Sequence, residues 1–294
     1  MTHVLILGVS GLIGHKLYEK LTARFETVSG TFHGTRDRFD HYNLFKTGEL
    51  IENVEAADIE ATLNTIALVN PDVILNCAGI TKRRPEVKTP IQAITVNALF
   101  PHRLAQWAHE NEKRVIHFST DCVFDGATGN YDEASITTAQ DAYGQTKALG
   151  ELRYDHSLTI RSSFIGQELD IHSELLDWFL QQRGKTIKGF TQALYTGVST
   201  IEMARVVGDI IENHTSLSGL YQLSVPKPIS KYDLLCLARD AFNMDVEIIP
   251  DSSFVIKPTL NGDALRSELG LTLPDWPEMM AGLAAESSLY KTLS

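Results

Sequence analysis

The stretch Val4-Leu-Ile-Leu7, followed at once by Gly8-Val-Ser-Gly11-Leu-Ile-Gly14, decides the fold class of this chain. Four consecutive apolar residues are typical of a parallel strand that is covered on both faces. Leu17 and Leu21 then recur at helical spacing among charged residues, so the unit is predicted as strand, glycine turn and helix. Such a turn presents backbone N–H groups at a helix N-terminus, where a pyrophosphate can approach closely. A glycine turn without a ligand is the alternative, because a single motif of this kind also occurs by chance.

Length, charge and cysteine content exclude several classes of protein. The chain has 294 residues and a formal net charge of −11, so the charge balance does not favour nucleic acid or an anionic membrane as a partner. A hydrophobic content of 43% is enough for a folded core. The three cysteines are far apart in the sequence, which argues against a disulfide framework and against a metal site. With neither a signal-peptide pattern nor a run of about 18 apolar residues, the chain is predicted to be cytoplasmic.

The segments up to residue 79 continue the alternation of strands and helices. Asp58 and Ile59 open a helical stretch that ends at Asn70-Pro71, and Val73-Ile-Leu75 is predicted as another buried strand. That strand leads into Asn76-Cys-Ala-Gly79, whose small side chains allow a cofactor to lie across the strand ends. The pattern therefore predicts an α/β fold with a doubly wound parallel sheet of the Rossmann type.

Polar residues follow in the next helix and strand. A helix is predicted from Ile91 to Glu110, and it carries Asn97 among apolar neighbours; a hydrogen-bonded core amide is the commoner role of such an Asn. Residues 114–118 form a predicted strand that delivers Ser119-Thr-Asp121 to the same edge of the sheet as the glycine turn. Hydroxyl and carboxylate groups at such an edge are more often functional than structural.

The end of the second predicted strand, residues 27–32, bears on which nicotinamide cofactor fits. An NAD site usually has an Asp or Glu there for the ribose 2′-hydroxyl, and this chain has none. A hydroxyl and three cationic side chains stand there instead and suit the 2′-phosphate of NADP: Thr31, His33, Arg36 and Arg38. Solvated loop charges, partly offset by two nearby aspartates, are the alternative. We predict NADP as the cofactor, with NAD as the second choice.

The pair Tyr143 and Lys147 is the strongest sign of chemistry in the sequence. Residues four apart share a face of a helix, so the Lys147 ammonium can lie near the Tyr143 phenol. A positive charge there would lower the pKa of the phenol and make it a better acid–base group near neutral pH. The YxxxK pattern alone is usually a solvated helix face. Here it follows the glycine turn, the NCAG segment and the hydroxyl-bearing strand, and so completes a candidate reaction site.

These motifs in this order, GxxGxxG, NCAG, STD and YxxxK, resemble those of the extended short-chain dehydrogenase/reductases. Within that superfamily, STDCVFDG at residues 119–126 is similar to the STDxVFDG signature of the dTDP-4-dehydrorhamnose reductase group. Residues 161–164 resemble the RxSW segment of this group, and residues 260–265 with 274–276 resemble its C-terminal ending. The resemblance covers nearly the whole chain.

The chain is predicted to divide into a nucleotide-binding domain and a smaller lobe. The parallel core should run to about Gly166, after a sixth strand at Leu158-Thr-Ile-Arg161. Residues 1–166 are therefore assigned to an NADP-binding Rossmann domain, and residues 167–294 mainly to a C-terminal substrate-binding lobe. Residues 219–224 are predicted to return a strand to the main sheet, so that the two parts interleave.

The resemblance to the reductase group assigns roles to residues of this chain. It implies a catalytic trio of Thr120, Tyr143 and Lys147, with Thr120, Asp121 and Tyr143 contacting the substrate. It also implies that Tyr143 and Lys147 contact the cofactor together with a larger set: Gly8, Gly11, Leu12, Ile13 and Gly14 at the pyrophosphate, Asp58 and Ile59 at the adenine, Ala78, Gly79 and Ile80 at the nicotinamide half, and Asn97, Phe118 and Phe164.

Two departures from the family pattern bear on the reaction. Related sugar-nucleotide 4,6-dehydratases carry an acid after the Thr-Asp pair, and Cys122 stands there instead, which argues against dehydration. Lys82, Arg83 and Arg84 make the loop after the NCAG segment unusually basic; they could bind a substrate diphosphate or form a solvated charge run. The resulting hypothesis is hydride transfer from NADPH to the C4 ketone of a nucleotide-linked deoxysugar, with Tyr143 as general acid.

Two other functions stay open at this point. The reductase group resembles the regulatory β subunit of methionine adenosyltransferase, which keeps the fold and YxxxK, so a regulatory NADP-binding subunit is one alternative. A nucleotide-sugar epimerase that recycles its cofactor is the other. The expected partner is a nucleotide sugar rather than nucleic acid or a membrane, and a homodimer is left open.

Overall fold

A parallel sheet forms the centre of the computed structural model, which describes residues 2–42, 44–83 and 89–290. Its seven strands are β1 (His3–Leu7), β2 (Thr27–Thr31), β3 (Glu49–Ile51), β4 (Val73–Asn76), β5 (Arg114–Ser119), β6 (Ser157–Arg161) and β10 (Gly219–Gln222). Their order across the sheet is β10-β6-β5-β4-β1-β2-β3, and every neighbouring pair is parallel. The predicted doubly wound α/β fold is therefore confirmed. The order reverses between β1 and β4, which is where open α/β sheets bind ligands.

Helices cover both faces of this sheet. The described helices, of which α8 packs on the smaller sheet instead, are α1 (Gly14–Thr22), α2 (Ile59–Val69), α3 (Pro90–Ile94), α4 (Phe100–Glu110), α5 (Ala142–Leu149), α6 (Leu175–Leu180), α7 (Thr200–Asn213), α8 (Lys231–Ala241), α9 (Asp263–Leu269) and α10 (Trp276–Ala285). Leu17 and Leu21 of α1 pack in the larger hydrophobic core, whereas Ile66 of α2 and Leu104 of α4 pack in a second core on the opposite face. Within the described residues, every helix is too short or too polar to cross a bilayer.

The helix predicted over residues 91–110 is present, but a wide π-helical turn interrupts it. Helices α3 and α4 flank this turn, which spans Thr95–Leu99 and has Asn97 at its centre. Gly150, just after α5, packs against the turn, because a Cβ at that position would collide with the carbonyl oxygen of Asn97. Such wide turns are frequent at functional sites, and this one sets the direction of the Asn97 side chain.

The C-terminal part of the chain both builds a smaller lobe and returns to the main sheet. Strands β8 (Lys185–Tyr195), β11 (Ile229–Ser230) and β12 (Val246–Ile256) form a three-stranded sheet in the order β11-β8-β12, and β7 (Phe164–Ile165) pairs with β9 (Val198–Ser199). Strand β10 lies parallel to β6 at the edge of the large sheet. Helix α7 packs against α1, so residues after 166 contribute to the core of the large sheet as well.

The last described residues hold α1 in place behind the glycine turn. Lys16 of α1 is fully buried and donates to Glu19 at 2.5 Å and to Glu286 at 2.7 Å. His15 donates from Nδ1 to the carbonyl oxygen of Gly11 at 2.9 Å, and its Nε2 lies 2.8 Å from the Tyr290 hydroxyl. Burial lowers the pKa of His15 to about 3, so the ring stays neutral and can accept from that hydroxyl.

Candidate active site

The glycine turn after β1 has a geometry that only glycine allows. Gly8 has a positive φ of 84°, in the left-handed region that most side chains avoid. Gly14 begins α1 directly above it, and a Cβ on Gly14 would collide with the carbonyl oxygen of Gly8. Ile13 precedes α1 and gives it no side-chain cap, and in the first turn the backbone nitrogen of His15 donates to the carbonyl oxygen of Gly11 at 3.2 Å. This is the arrangement that binds a pyrophosphate at a helix N-terminus.

An open cleft with a volume of ≈ 250 Å³ lies over the ends of β1 and β4. Gly8 and Gly11 line it together with the segment after β4, Cys77 to Ile80. Of the residues predicted to bind the cofactor, these line the cleft: Gly8, Gly11, Thr31, His33, Ala78, Gly79 and Ile80.

Several predicted cofactor residues lie elsewhere. Asp58 caps α2 by accepting a hydrogen bond from the backbone nitrogen of Ala61 at 3.2 Å, and Ile59 packs against the second hydrophobic core. The segment just before them, residues 54–57, lines the cleft in their place. The remaining predicted residues outside the described cleft lining are Leu12, Ile13, Gly14, Arg36, Asn97, Phe118, Tyr143, Lys147 and Phe164, of which Ile13 and Phe118 are core residues.

The cations predicted to meet a 2′-phosphate are already paired with carboxylates. His33 lies 2.7 Å from Glu55, and both residues line the cleft. Arg38, also in the lining, lies 2.9 Å from Asp170. Arg36, outside the lining, contacts Asp40 at 3.1 Å. A phosphate at this end of the cleft would therefore have to compete with existing ion pairs, and Thr31 already accepts a hydrogen bond from the backbone of the glycine turn at 3.1 Å.

Thr120 and Tyr143 meet at the carboxyl end of β5. The Thr120 hydroxyl oxygen accepts from the backbone nitrogen of Cys122 at 3.1 Å, and the hydroxyl lies 3.2 Å from the Asp121 carboxylate, to which it can donate. The Thr120 hydroxyl also lies close enough to the Tyr143 phenol to lower the pKa of that phenol. Gly144 lets α5 approach this strand end, because a Cβ there would collide with the carbonyl oxygen of Cys122. The structure thus brings together the two hydroxyls that the sequence predicted to act at one substrate oxygen.

Lys147 does not have the predicted effect on the phenol. Its ammonium donates to the carbonyl oxygen of Phe118 at 2.6 Å, and burial lowers the pKa of Lys147 to about 8. The pKa of Tyr143 is raised, first by burial and then by the neighbouring Cys122, while the Thr120 hydroxyl opposes the rise. Lys147 is not among the groups that shift this pKa, so the prediction that Lys147 depresses it is wrong for the structure.

Asn97 ties three segments of the site together. Its carboxamide oxygen accepts from the backbone nitrogen of Ile80 at 2.8 Å, and its nitrogen donates to the carbonyl oxygen of Ile80 at 2.9 Å. The same nitrogen donates to the Thr146 hydroxyl at 3.2 Å. Asn97 thus links the loop after β4 to α5, which carries Tyr143, and these bonds match the alternative reading of a satisfied core amide.

The smaller lobe contributes two residues that the sequence analysis missed. Tyr195, at the end of β8, is close enough to Asp121 and Glu174 for their charges to raise its pKa, although burial is the larger cause. Glu174, which precedes α6, likewise adds to the rise in the pKa of Tyr143. No local pattern marks either residue, because only the packing of the lobe against the sheet brings them to this edge.

The predicted basic loop is only partly described. Lys82 contacts Asp141, the N-cap of α5, at 2.7 Å, and Arg83 contacts Glu174 at 3.2 Å. Both cations are exposed at the rim of the site, and each is paired with a carboxylate rather than forming a free cationic patch. Arg84 lies outside the described residues.

Comparison with known families identifies the chain. The family model described as the RmlD substrate binding domain matches residues 1–281. The chain belongs to this family. The predicted resemblance to the dTDP-4-dehydrorhamnose reductase group is thereby confirmed.

Two curated relatives of this RmlD-family chain have different roles. A protein of Haloferax volcanii named "Probable low-salt glycan biosynthesis reductase Agl14" is 24% identical and aligns with 99% of this chain and 100% of its own length. The methionine adenosyltransferase 2 subunit beta of Xenopus tropicalis is 27% identical over 82% of this chain and 72% of that protein. The family therefore includes both a named reductase and a named subunit of another enzyme.

Solved structures share the fold of this RmlD-family chain. A dTDP-4-dehydrorhamnose reductase from Bacillus anthracis, in complex with NADP, has a TM-score of 0.78 and 21% identity over 98% of this chain and 100% of its own. A hypothetical dTDP-4-dehydrorhamnose reductase from Sulfolobus tokodaii has a TM-score of 0.77 and 23% identity over 93% of this chain and 98% of its own.

Proposed function

We propose that this RmlD-family chain is an NADPH-dependent oxidoreductase that reduces the C4 ketone of a nucleotide-linked deoxysugar. The observation that carries the proposal is the meeting of the Thr120 hydroxyl with the Tyr143 phenol beside the cleft, with Lys147 buried on the same helix. Two hydroxyl donors at one point suit a ketone oxygen that gains negative charge during reduction.

The cleft fits a dinucleotide on its own geometry. A cradle that larger side chains would fill is formed by Gly8 in its left-handed conformation, the uncapped start of α1 and the small residues Ala78 and Gly79. Its location at the point where the strand order reverses agrees with the rule for open α/β sheets. We infer that the glycine turn holds the pyrophosphate and that the segment after β4 faces the nicotinamide half. NADPH supplies the hydride when it is bound.

The residues of the chain supply the proton and the orientation. Because burial raises the pKa of Tyr143, the phenol is protonated near neutral pH and can donate its proton to the ketone oxygen. Thr120 is placed to donate a second hydrogen bond to that oxygen. With a pKa of about 8, Lys147 is mainly an ammonium at pH 7 and provides the positive charge next to the site. We assign the cofactor's ribose to Lys147 and the sugar to Asp121 and Tyr195.

The proposal of a nucleotide sugar rests on the family and on the site. The Haloferax volcanii relative is named as a glycan biosynthesis reductase, and the Bacillus anthracis structure is a dTDP-4-dehydrorhamnose reductase. Cys122 stands where dehydratases have an acid, and burial raises its pKa to about 12, so it is not an acid–base group at neutral pH. Lys82 and Arg83 at the rim could exchange their carboxylate partners for the diphosphate of the substrate.

The substrate prediction is tested with a panel of dTDP-, UDP- and GDP-linked 4-keto-6-deoxysugars and NADPH. At least one should be reduced with one NADPH consumed per product, followed by the loss of reduced-nicotinamide absorbance and by product analysis. The corresponding free sugar should react about a hundredfold less efficiently, because it lacks the charge-assisted contacts of the diphosphate. Reduction of none of the panel by protein that still binds NADPH would contradict the reductase proposal.

The cofactor preference is tested by titration with NADPH and NADH. We expect NADPH to bind about tenfold more tightly, the lower end of the range for one charge-assisted contact, because Arg38 must give up Asp170 to reach a phosphate. Arg38→Ala should abolish the preference. Arg36→Ala is the matched control, since Arg36 lies outside the described cleft lining, and it should preserve the preference. Equal dissociation constants in the unmodified protein would reject NADP selectivity.

A second candidate function is a regulatory NADP-binding subunit. The observation that favours it is the 27% identity to methionine adenosyltransferase 2 subunit beta, which exceeds the identity to the named reductase. Co-purification with a catalytic partner, together with tight NADPH binding and no turnover on the panel, would support it. An epimerase would instead convert sugars without net consumption of NADPH. A homodimer and a cytoplasmic location remain predictions.

A further inference from the structure

A row of buried polar side chains lies behind Lys147. His117 of β5 and Asn76 of β4 are cross-strand neighbours in the sheet, and both are at most 1% exposed. His117 Nε2 lies 3.4 Å from the Lys147 ammonium nitrogen, and His117 Nδ1 lies 3.1 Å from the carboxamide nitrogen of Asn76. We call these three residues the Asn76–His117–Lys147 row. The row leads from the centre of the sheet to the base of the candidate site.

The imidazole of His117 must be neutral in this row. Burial lowers its pKa well below the ordinary value, and the charge of Lys147 lowers it further. A neutral imidazole has one N–H and one lone pair, so its two neighbours must be of opposite kinds. A charged Lys147 can only donate, which requires the lone pair at Nε2 and the N–H at Nδ1. The group beside Nδ1 must then be an acceptor.

Asn76 supplies that acceptor when its carboxamide is turned by 180°. In the structure the carboxamide nitrogen of Asn76 faces Nδ1. Both neighbours of the ring, this nitrogen and the Lys147 ammonium, are then donors, although a neutral imidazole has only one lone pair. The Asn76 oxygen is meanwhile buried without a hydrogen-bond partner. Turning the carboxamide lets the oxygen accept from Nδ1, while the nitrogen takes the place that the oxygen leaves. The number of unpaired carboxamide atoms stays at one, and the conflict between the two donors is removed.

We propose that Asn76 and His117 are positioning residues for Lys147: Asn76 fixes the Nδ1–H tautomer of His117, and His117 Nε2 then accepts from the Lys147 ammonium. Together with the Phe118 carbonyl, His117 gives the ammonium two fixed acceptors on β5. The role rests on the proposed function, because orientation of the ammonium matters only if Lys147 acts at the site.

Other groups near the row shift the pKa values of Lys147 and His117. Glu151, after α5, and Cys77, after β4, favour the charged form of Lys147, whereas burial opposes it. The charge of His102 on α4 opposes protonation of His117. Glu151 is itself paired with Arg161 at 2.7 Å. None of these groups offers an acceptor at the position of His117 Nε2, so loss of the imidazole should destabilise the ammonium.

The tautomer of His117 can be observed directly in the unmodified protein. Long-range ¹H–¹⁵N NMR spectra of ¹⁵N-histidine-labelled protein distinguish the two neutral tautomers, and His117→Gln identifies the resonance. We expect a neutral Nδ1–H imidazole at about pH 6 to 7, where histidine normally titrates and where Lys147, with a pKa of about 8, is still mainly charged. An Nε2–H tautomer, or a protonated ring in this range, would overturn the proposal without any assay of activity.

The pH dependence of turnover gives the functional test. Turnover should fall as the pH rises through the pKa of Lys147, because the ammonium is the working form. In His117→Phe this fall should move to lower pH by about one unit, as expected for loss of one hydrogen bond to a charged group. His117→Gln keeps an acceptor, so the pH midpoint of its fall in turnover should stay within about 0.3 unit of that of the unmodified protein. NADPH affinity should change less than kcat.

Ser157→Ala is the matched control, since it removes a buried hydroxyl from β6 that lies 3.3 Å from the Tyr154 carbonyl and takes no part in the row. This substitution should leave the pH midpoint of turnover unchanged. An unshifted midpoint in His117→Phe would overturn the positioning role while leaving the reductase proposal intact. Failure of the unmodified protein to reduce any sugar nucleotide would instead count against the reductase proposal, and the tautomer measurement would still decide the arrangement of the row.

Discussion

Tyr143→Phe is expected to reduce turnover of the preferred sugar nucleotide by ~10²-fold or more, the usual value of a general acid. The substitution removes only the phenolic oxygen, which lies near the Thr120 hydroxyl. Because burial keeps the phenol protonated, its loss removes the proton donor rather than a charge. The dissociation constant of NADPH should therefore change by less than about twofold, since no charge-assisted contact is lost. Steady-state kinetics and fluorescence titration measure the two effects separately.

Tyr154→Phe provides the matched control for this prediction. The Tyr154 hydroxyl also has a side-chain partner, His102 Nδ1 at 2.9 Å, but neither residue is among the groups that influence the Tyr143 phenol. Its loss should leave turnover within about twofold, as for other substitutions distant from a site. If Tyr143→Phe also stays within a few-fold of the unmodified protein, Tyr143 is not the general acid. A large loss in NADPH affinity would instead assign Tyr143 to cofactor binding.

The parts of the fold that follow from local chemistry could be predicted from the sequence. The apolar run before Gly8 indicated a buried strand, and the helix after Asp58 begins and ends as its cap and its proline indicated. The wide turn around Asn97 could not be predicted in this way. Its backbone path depends on Gly150, which approaches from another helix, and no periodicity within residues 91–110 encodes that contact.

The candidate site shows the same division between local and distant causes. Helical spacing correctly placed Tyr143 and Lys147 on one element, but spacing does not determine where a long side chain ends. The ammonium of Lys147 turns to Phe118 and His117 because a buried cation needs acceptors and β5 provides them. For Tyr143, burial dominates the pKa, and no local sequence pattern measures that burial.

A buried ion pair beside the site carries the largest expected effect on stability. Arg161 on β6 donates to both carboxylate oxygens of Glu151, at 2.8 and 2.7 Å, and the side chains are 0% and 4% exposed. Glu151 also accepts from the Ser119 hydroxyl at 2.7 Å, and the Arg161 guanidinium lies 4.9 Å from the centre of the Phe124 ring. Ser119 directly precedes Thr120, so these contacts lie next to the site. They join β5, β6 and the end of α5.

Arg161→Met should lower the free energy of unfolding by about 3–5 kcal/mol, because it leaves the Glu151 carboxylate buried without its counter-charge. Urea denaturation of the unmodified and variant proteins at pH 7 measures the difference.

The control is the double variant Arg161→Met, Glu151→Leu, which removes both charges and should recover most of the loss, since a buried pair is often replaceable by apolar residues of similar volume. The double variant should nevertheless lose activity at alkaline pH sooner, because Glu151 favours the ammonium form of Lys147. If it is as unstable as Arg161→Met alone, packing of Arg161 against Phe124 rather than an unpaired carboxylate causes the loss.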